Sequence, residues 1–91
     1  MEHTIQEERG RFYIGEQSSP VAFLAFDEEG DTMIITSTVV EPSARNQGLA
    51  TELVDHAVNY ARKNKLQIDP ECPFARDVIK DTPEYHVVWK K

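Results

Sequence analysis

The 91-residue sequence has a single cysteine, Cys72, and this scarcity excludes several classes of protein. One thiol cannot form an intramolecular disulfide or supply a thiolate metal cluster, which suits the reducing cytosol. No apolar run approaches the ~20 residues that a membrane-spanning helix needs. Residues 1–8 are acidic and lack an apolar segment, so we expect no signal peptide, no membrane partner and a cytoplasmic protein.

Basic residues are also scarce. The sequence has 10 Lys and Arg and 16 Asp and Glu, which gives a net charge of −6. A general nucleic-acid-binding protein needs a basic surface, so we expect no nucleic-acid partner. An acidic protein suits a cationic small substrate better than an anionic one. The sequence has no His-Glu-x-x-His motif and no cluster of carboxylates spaced to bind a metal ion, so we expect no metal.

The N-terminal part of the chain predicts an antiparallel β-meander of four strands. The predicted strands are residues 3–8, 11–14, 21–26 and 33–40. The third is apolar on both faces, as expected of a central strand, and the fourth is rich in β-branched residues. Asp27, Glu28 and Glu29 precede a glycine, so we interpret them as the solvated tip of a hairpin between these two strands.

The hydrophobic period changes after the fourth strand. Apolar residues recur at steps of three and four, which predicts an amphipathic helix over residues 48–64. Residues 66–68 then predict a fifth strand, parallel to the fourth because a helix crosses between them. A short second helix over residues 74–80 and a last strand over residues 85–89 complete the chain. We therefore expect one α+β domain over residues 1–91.

The junction between the fourth strand and the long helix, RNQGLAT, has the features of an anion site. The first turn of a helix has unpaired backbone N–H groups and about +0.5 charge from the aligned peptide dipoles, which together suit a phosphate. Gly48 lets a ligand approach the backbone, Arg45 adds a charged forked donor, and Thr51 adds a hydroxyl. The alternative is a plain helix-entry glycine beside a solvated arginine.

The residues around this junction resemble a known family. The segment VVEPSARNQGLATELVDHAVNYAR is similar to the acetyl-CoA-binding segment of the GNAT superfamily of N-acetyltransferases. Its signature, Gln/Arg-x-x-Gly-x-Gly/Ala, is met by Arg45, Gly48 and Ala50. With LQIDPECPFARDVIKDTPEYHVV, the chain resembles the very short single-domain GNAT-like subgroup over residues 4–88.

This resemblance implies a minimal GNAT-like fold and a small acetyl-CoA-dependent N-acetyltransferase with an unidentified amine acceptor. Acetyl-CoA would lie in a V-shaped gap between the fourth and fifth strands. Its pyrophosphate would rest on the amides after Arg45, and its pantetheine arm would follow the edge of the fourth strand. The residues then expected to bind it are Val39, Val40, Arg45, Asn46, Gln47, Gly48, Leu49, Ala50 and Thr51.

Two residues are candidates for the chemistry. Acetyl transfer requires a neutral amine and a proton for the departing thiolate. In many GNAT enzymes a tyrosine donates that proton, which implies Tyr85; the alternative is a core or rim aromatic. Cys72 is expected near the thioester end and just before a helix start, which lowers a thiol pKa. The alternative is a packing residue and, since no base lies near it in sequence, we favour direct transfer over an acyl-cysteine route.

The chain also departs from the family pattern. Residues 8–10 leave room only for a turn, where other members carry helices that help to form the acceptor site. An open acceptor side makes a non-catalytic CoA-binding or protein-interaction module the alternative function. Ser37 and Thr38 replace a His-Thr pair that is frequent in the related short proteins, so no role of that histidine is transferred. We expect His56, near the polar edge of the long helix, to be solvated.

Overall fold

The computed structural model describes residues 4–90, in which five strands form one mixed sheet in sequence order. The strands are β1 (Ile5–Glu8), β2 (Arg11–Gly15), β3 (Pro20–Glu29), β4 (Thr32–Val40) and β5 (Gln67–Pro70); the helices are α1 (Leu49–Lys63) and α2 (Pro73–Asp81), and short 3₁₀ helices occupy Pro42–Ala44 and Pro83–Val87. β1 to β4 pair antiparallel, and β4 pairs parallel with β5. The predicted α+β arrangement is therefore confirmed, although residue 3 of the predicted first strand lies outside the described residues.

The core lies between one face of the sheet and α1. Alternate residues of β2 and β3 are buried, because successive side chains of a strand point to opposite faces. The helix α1 turns its apolar stripe to that face, burying Leu49, Leu53, Val54, Ala57, Val58 and Ala61. Burial of these side chains is the main source of the stability of the fold. Within residues 4–90, neither helix has the length and apolar character to span a bilayer.

β4 and β5 separate beyond the pair Ile35–Pro70, where their ladder ends. The amides of Glu71 and Cys72 then both donate to the Ile35 carbonyl oxygen, each at 3.0 Å, and the chain turns away into α2. β4 continues to Val40. A gap therefore opens between the last residues of β4 and the start of α2.

The reversal between β3 and β4 is tighter than the sequence indicated. Residues 27–29 belong to β3, where Glu29 pairs with Thr32, so their interpretation as a hairpin tip is wrong. Gly30 and Asp31 alone make the connection. Gly30 has a φ of 62°, which glycine adopts without a steric penalty, so two residues suffice and both strands extend further.

The predicted last strand over residues 85–89 is also wrong. The chain there forms the 3₁₀ helix Pro83–Val87, in which the Tyr85 amide donates to the Thr82 carbonyl at 2.9 Å. Proline suits a first helical turn because its missing N–H has no partner to lose. Trp89 then makes an isolated parallel bridge to β5.

Candidate functional site

The start of α1 presents backbone donors to solvent. Gly48 is the N-cap residue, with φ 75° and ψ 15°, and no side chain caps the helix. The Glu52 amide donates to the Gly48 carbonyl at 3.0 Å, which is the first bond of the helix. Within residues 4–90, the backbone amides of residues 46–51 donate no hydrogen bond to a backbone carbonyl in a turn, loop or cap. These free N–H groups and the helix dipole make the turn suitable for an anion.

Gly48 has both open space beside it and a backbone conformation that favours glycine. A Cβ atom built on Gly48 would meet nothing within 4 Å, so the approach to the amides is open. Its positive φ, however, is one that L side chains rarely adopt. Asn46 also has a positive φ, of 67°, and asparagine tolerates that region better than most residues.

A cleft of about 600 Å³ extends from this turn along the end of β4 to the first turn of α2. The residues that line it are Thr38, Val39, Val40, Ala44, Arg45, Asn46, Gly48, Leu49, Ala50, Thr51 and Phe74. Every residue expected to bind the cofactor is among them except Gln47. The structure therefore brings together one turn, one strand edge and one helix start that are separate in sequence.

Arg45 lies at the polar end of this cleft. Its side chain folds back along β4, and its Nε donates to the Val40 carbonyl oxygen at 3.4 Å. Arg45, Asn46 and Gly48 line the same cleft. The Nη groups make no hydrogen bond within residues 4–90, so two forked donors are available to an anionic group such as a phosphate.

Cys72 lies behind the cleft wall and is the N-cap residue of α2. Its thiol Sγ lies 3.5 Å from the hydroxyl of Thr38, a residue that lines the cleft. Burial raises the pKa of the thiol, but the backbone amides of Ala75 and Phe74 and the Thr38 hydroxyl lower it. The balance is a Cys72 pKa below its usual value, as expected at a helix start.

Tyr85 is not among the residues that line the cleft. Its hydroxyl donates to Asp55 Oδ1 at 2.7 Å, which joins the C-terminal 3₁₀ helix to the outer side of α1. Burial and this hydrogen bond raise the pKa of Tyr85 to about 12, so the phenol keeps its proton at neutral pH. Of the two catalytic candidates, Cys72 hydrogen-bonds a residue that lines the cleft, whereas Tyr85 hydrogen-bonds Asp55, which does not line it.

Comparison with known proteins identifies the family of this chain. The family model described as GCN5-related N-acetyl-transferase matches residues 11–88, which is most of the chain. The chain belongs to this family. No curated protein sequence matches it.

Solved structures of acetyltransferases share the fold. A GCN5-like protein from Staphylococcus aureus superposes with a TM-score of 0.82 at 26% identity, over 96% of this chain and 87% of that one. The Escherichia coli ribosomal-protein-S18-alanine N-acetyltransferase gives 0.64 at 20% identity, over 82% of this chain and 52% of that one. A predicted acetyltransferase from Clostridium acetobutylicum, solved with acetyl-CoA, gives 0.56 at 24% identity, over 89% and 61%. This GCN5-related chain thus spans little more than half of the last two proteins.

Three residues that line this cleft, Thr38, Ala44 and Phe74, are not among those expected from the sequence. The sequence predicts Thr38 on the fourth strand without a role and Phe74 in the second helix as an ordinary apolar residue. An apolar side chain at a helix start, directly after Pro73, was the available signal for Phe74. Thr38 had no such signal, because its contact with Cys72 is made between residues 34 apart.

His56 is not the solvated residue that the sequence indicated. Its ring meets the buried Phe12 ring edge-on, with centroids 4.7 Å apart, and its Nε2 lies 2.7 Å from Glu7 Oε2. It therefore joins α1 to β1 and β2 as a partly buried structural residue. A position at the polar edge of a helix is compatible with either exposure or burial. Contact with the Phe12 ring leaves His56 partly buried.

A second cleft, of about 620 Å³, contains none of the expected site residues. Acidic and aromatic side chains line it, including Glu28, whose carboxylate accepts a hydrogen bond from Tyr60 at 2.8 Å. Tyr60 lies near the end of α1, whereas the free amides lie at its start. Within residues 4–90, no group of His, Cys, Asp or Glu side chains is arranged to hold a metal ion.

Proposed function

We propose that this protein is a small acetyl-CoA-dependent N-acetyltransferase that transfers an acetyl group to an amine. The observation that carries the proposal is the uncapped start of α1, whose free amides open into the cleft beside β4. Membership of the GCN5-related family supports it, since the family match includes this turn. The net charge of −6 favours a cationic amine as the acceptor.

The chain offers a separate element for each part of the cofactor. The amides of residues 46–51 and the Arg45 guanidinium suit the pyrophosphate. The edge of β4 at Val39 and Val40 has β3 on one side and the cleft on the other, so its backbone suits the amides of pantetheine. When bound, acetyl-CoA supplies an acetyl group activated as a thioester.

Transfer to an amine forms a C–N bond and breaks the C–S bond, while one proton leaves the amine and one joins the departing sulfur. Thr38 lines the cleft, and the Cys72 thiol lies 3.5 Å from its hydroxyl. We favour a direct route, in which Cys72 shapes the cleft through Thr38. The assignment of Tyr85 as proton donor stays a prediction, and it requires the hydroxyl to leave Asp55.

The alternative function is a CoA-binding module without efficient catalysis. One observation favours it: β1 ends at Glu8 and β2 begins at Arg11, so two residues replace any acceptor-site helix at this point. The two functions make different predictions once the cofactor is present. Both require the cleft to bind CoA, but only the enzyme releases free thiol from acetyl-CoA when an amine is supplied.

The proposal is tested in two steps. Titration calorimetry with acetyl-CoA measures binding, and a free-thiol assay over a panel of primary amines and polyamines then measures transfer. Binding together with amine-dependent thiol release is expected. Binding without release from any amine would favour the module, and absence of binding would refute both functions.

A further inference from the structure

Three large apolar side chains are exposed within residues 4–90: Val39 by 45%, Phe74 by 41% and Val87 by 71%. Two of them, Val39 and Phe74, line the cleft beside the uncapped start of α1. Apolar side chains that are exposed singly need no explanation, but their presence in one cleft marks a surface that a ligand can cover. Val87, on the C-terminal 3₁₀ helix, is not part of the cleft lining and is a natural comparison.

The backbone of Phe74 is held firmly at the edge of the cleft. Pro73 begins α2 and fixes its own φ, and Cys72, the residue before it, is the N-cap of this helix. The Cys72 amide in turn donates to Ile35 at 3.0 Å, which ties this turn to β4. The Phe74 ring therefore extends into the cleft from a fixed point, rather than from a mobile loop.

The cleft is consequently polar at one end and apolar at the other. Its polar end has the free amides and Arg45, and it suits a charged group. Its apolar end lies where α2 begins, with Phe74 on that side and Thr38 and Val39 on the β4 side. In an acyl-CoA, charge is confined to the nucleotide, so the mercaptoethylamine and acyl groups are the parts that gain from an apolar wall.

We propose that Phe74 determines which acyl groups this protein accepts. Its ring forms the wall against which the acyl end of the cofactor packs, and its bulk limits that end to short chains such as acetyl. The inference rests on the proposed function, since it assigns the acyl end of acetyl-CoA to the apolar end of the cleft. Pockets that discriminate by apolar shape separate substrates by about 10-fold or more for each methylene group.

Titration calorimetry with four ligands tests the role of Phe74: adenosine 3′,5′-bisphosphate, CoA, acetyl-CoA and butyryl-CoA. In Phe74→Ala we expect acetyl-CoA to bind about 10-fold more weakly, because half-exposed ring surface no longer packs on it. The bisphosphate, which lacks the pantetheine arm, should bind as in the wild type. The affinity ratio of butyryl-CoA to acetyl-CoA should rise about 10-fold. Val87→Ala, the matched control, should change none of these values.

Two further variants keep the test decisive if Phe74→Ala is poorly folded, which thermal unfolding will show. Phe74→Leu retains an apolar wall and should keep most of the acetyl-CoA affinity. Phe74→Trp enlarges the wall and should weaken butyryl-CoA more than acetyl-CoA. If these variants bind CoA normally and keep the same preference between acetyl-CoA and butyryl-CoA, the role of Phe74 is overturned. The proposed function would not be affected by that result. A wild-type protein that binds none of the CoA ligands would overturn the proposed function and this inference together.

Discussion

The thiol of Cys72 lies 3.5 Å from the hydroxyl of Thr38, across the gap between the start of α2 and β4. Thr38 lines the cleft, whereas Cys72 is 7% exposed and lies behind it. This pair connects the predicted site on β4 and α1 to the loop after β5. The contact makes Thr38 the residue through which Cys72 can influence a ligand in the cleft.

The first prediction concerns the route of acetyl transfer. We expect no stable acetyl adduct on the protein after incubation with acetyl-CoA, because the Cys72 thiol is buried and lies behind Thr38. Intact-mass spectrometry measures this, and Cys72→Ala should retain transferase activity within about fivefold of the wild type. A hydroxylamine-sensitive adduct that is missing in Cys72→Ser would show instead that the acyl group passes through the thiol.

The second prediction concerns the ionisation of the same thiol. Despite burial, hydrogen bonds from the α2 amides and Thr38 lower the pKa of Cys72, so its thiolate should form at lower pH than that of a free cysteine. The pH profile of alkylation by a small reagent measures the midpoint. Thr38→Val removes one of these hydrogen bonds and should move the midpoint to higher pH, whereas Thr36→Val, on the same strand, should not. A midpoint that stays in place in Thr38→Val would contradict the role of this contact.

The third prediction concerns Arg45. Arg45→Ala should weaken CoA binding by about 1–3 kcal/mol, the range for a hydrogen bond to a charged group, because the forked donors beside the free amides are lost. Titration calorimetry measures the difference. Arg76→Ala is the matched control, since Arg76 is exposed on α2 and does not line the cleft. If Arg45→Ala, Arg76→Ala and the wild type bind CoA with equal affinity, Arg45 does not contribute to phosphate binding.

The fourth prediction concerns Gly48 and separates its two effects. Gly48→Ala should lower the free energy of unfolding by about 1–2 kcal/mol, because an L side chain is strained at its positive φ. Gly48→Asn should cost less, since asparagine tolerates this conformation. Gly48→Val should in addition reduce the free energy of CoA binding by more than it reduces the free energy of unfolding. Its branched side chain would occupy the open space in front of the amides. Denaturant unfolding and calorimetry on the same samples measure both effects, and CoA affinity that is unchanged in Gly48→Val would contradict the role of the turn.

The fifth prediction concerns the bond between Tyr85 and Asp55. Tyr85→Phe should lower the free energy of unfolding by about 1 kcal/mol at neutral pH, since a hydrogen bond of this kind contributes about that much. The folded protein raises the pKa of Tyr85 from 10.0 to about 12, so it binds the phenolic proton more tightly than the unfolded chain. The contribution is therefore fully present below about pH 10 and is lost as the pH rises to about 12.

Comparison of wild-type and Tyr85→Phe unfolding between pH 8 and 12 measures this loss, because other groups titrate equally in both proteins. Asp55→Ala is the partner variant and should remove the part of this difference that the hydrogen bond contributes. The activity of Tyr85→Phe is a separate readout: a fall in kcat with unchanged CoA affinity would support Tyr85 as the proton donor. Unchanged activity would leave the tyrosine with its structural role only.

Much of this fold could be predicted from the sequence because its elements are encoded locally. The change from period two to period 3.6 near Gly48 marks the passage from β4 to α1, and both elements form close to the predicted bounds. The family resemblance also rests on this junction, where Arg45, Gly48 and Ala50 are near neighbours in the chain. The secondary-structure predictions that were wrong lie at the β3–β4 turn and in the C-terminal segment, where tight turns and proline chemistry compete with strand propensity.

Only the tertiary structure decided which distant side chains share a surface. The approach of Thr38 to Cys72, the position of Phe74 in the cleft and the pairing of Tyr85 with Asp55 all join residues from different elements. No periodicity in the chain encodes such contacts, since they depend on where β5 ends and how α2 packs beside β4. The sequence thus determined the turn that suits an anion, and packing determined the apolar end of the cleft, because local propensities act over a few residues whereas burial acts across the whole core.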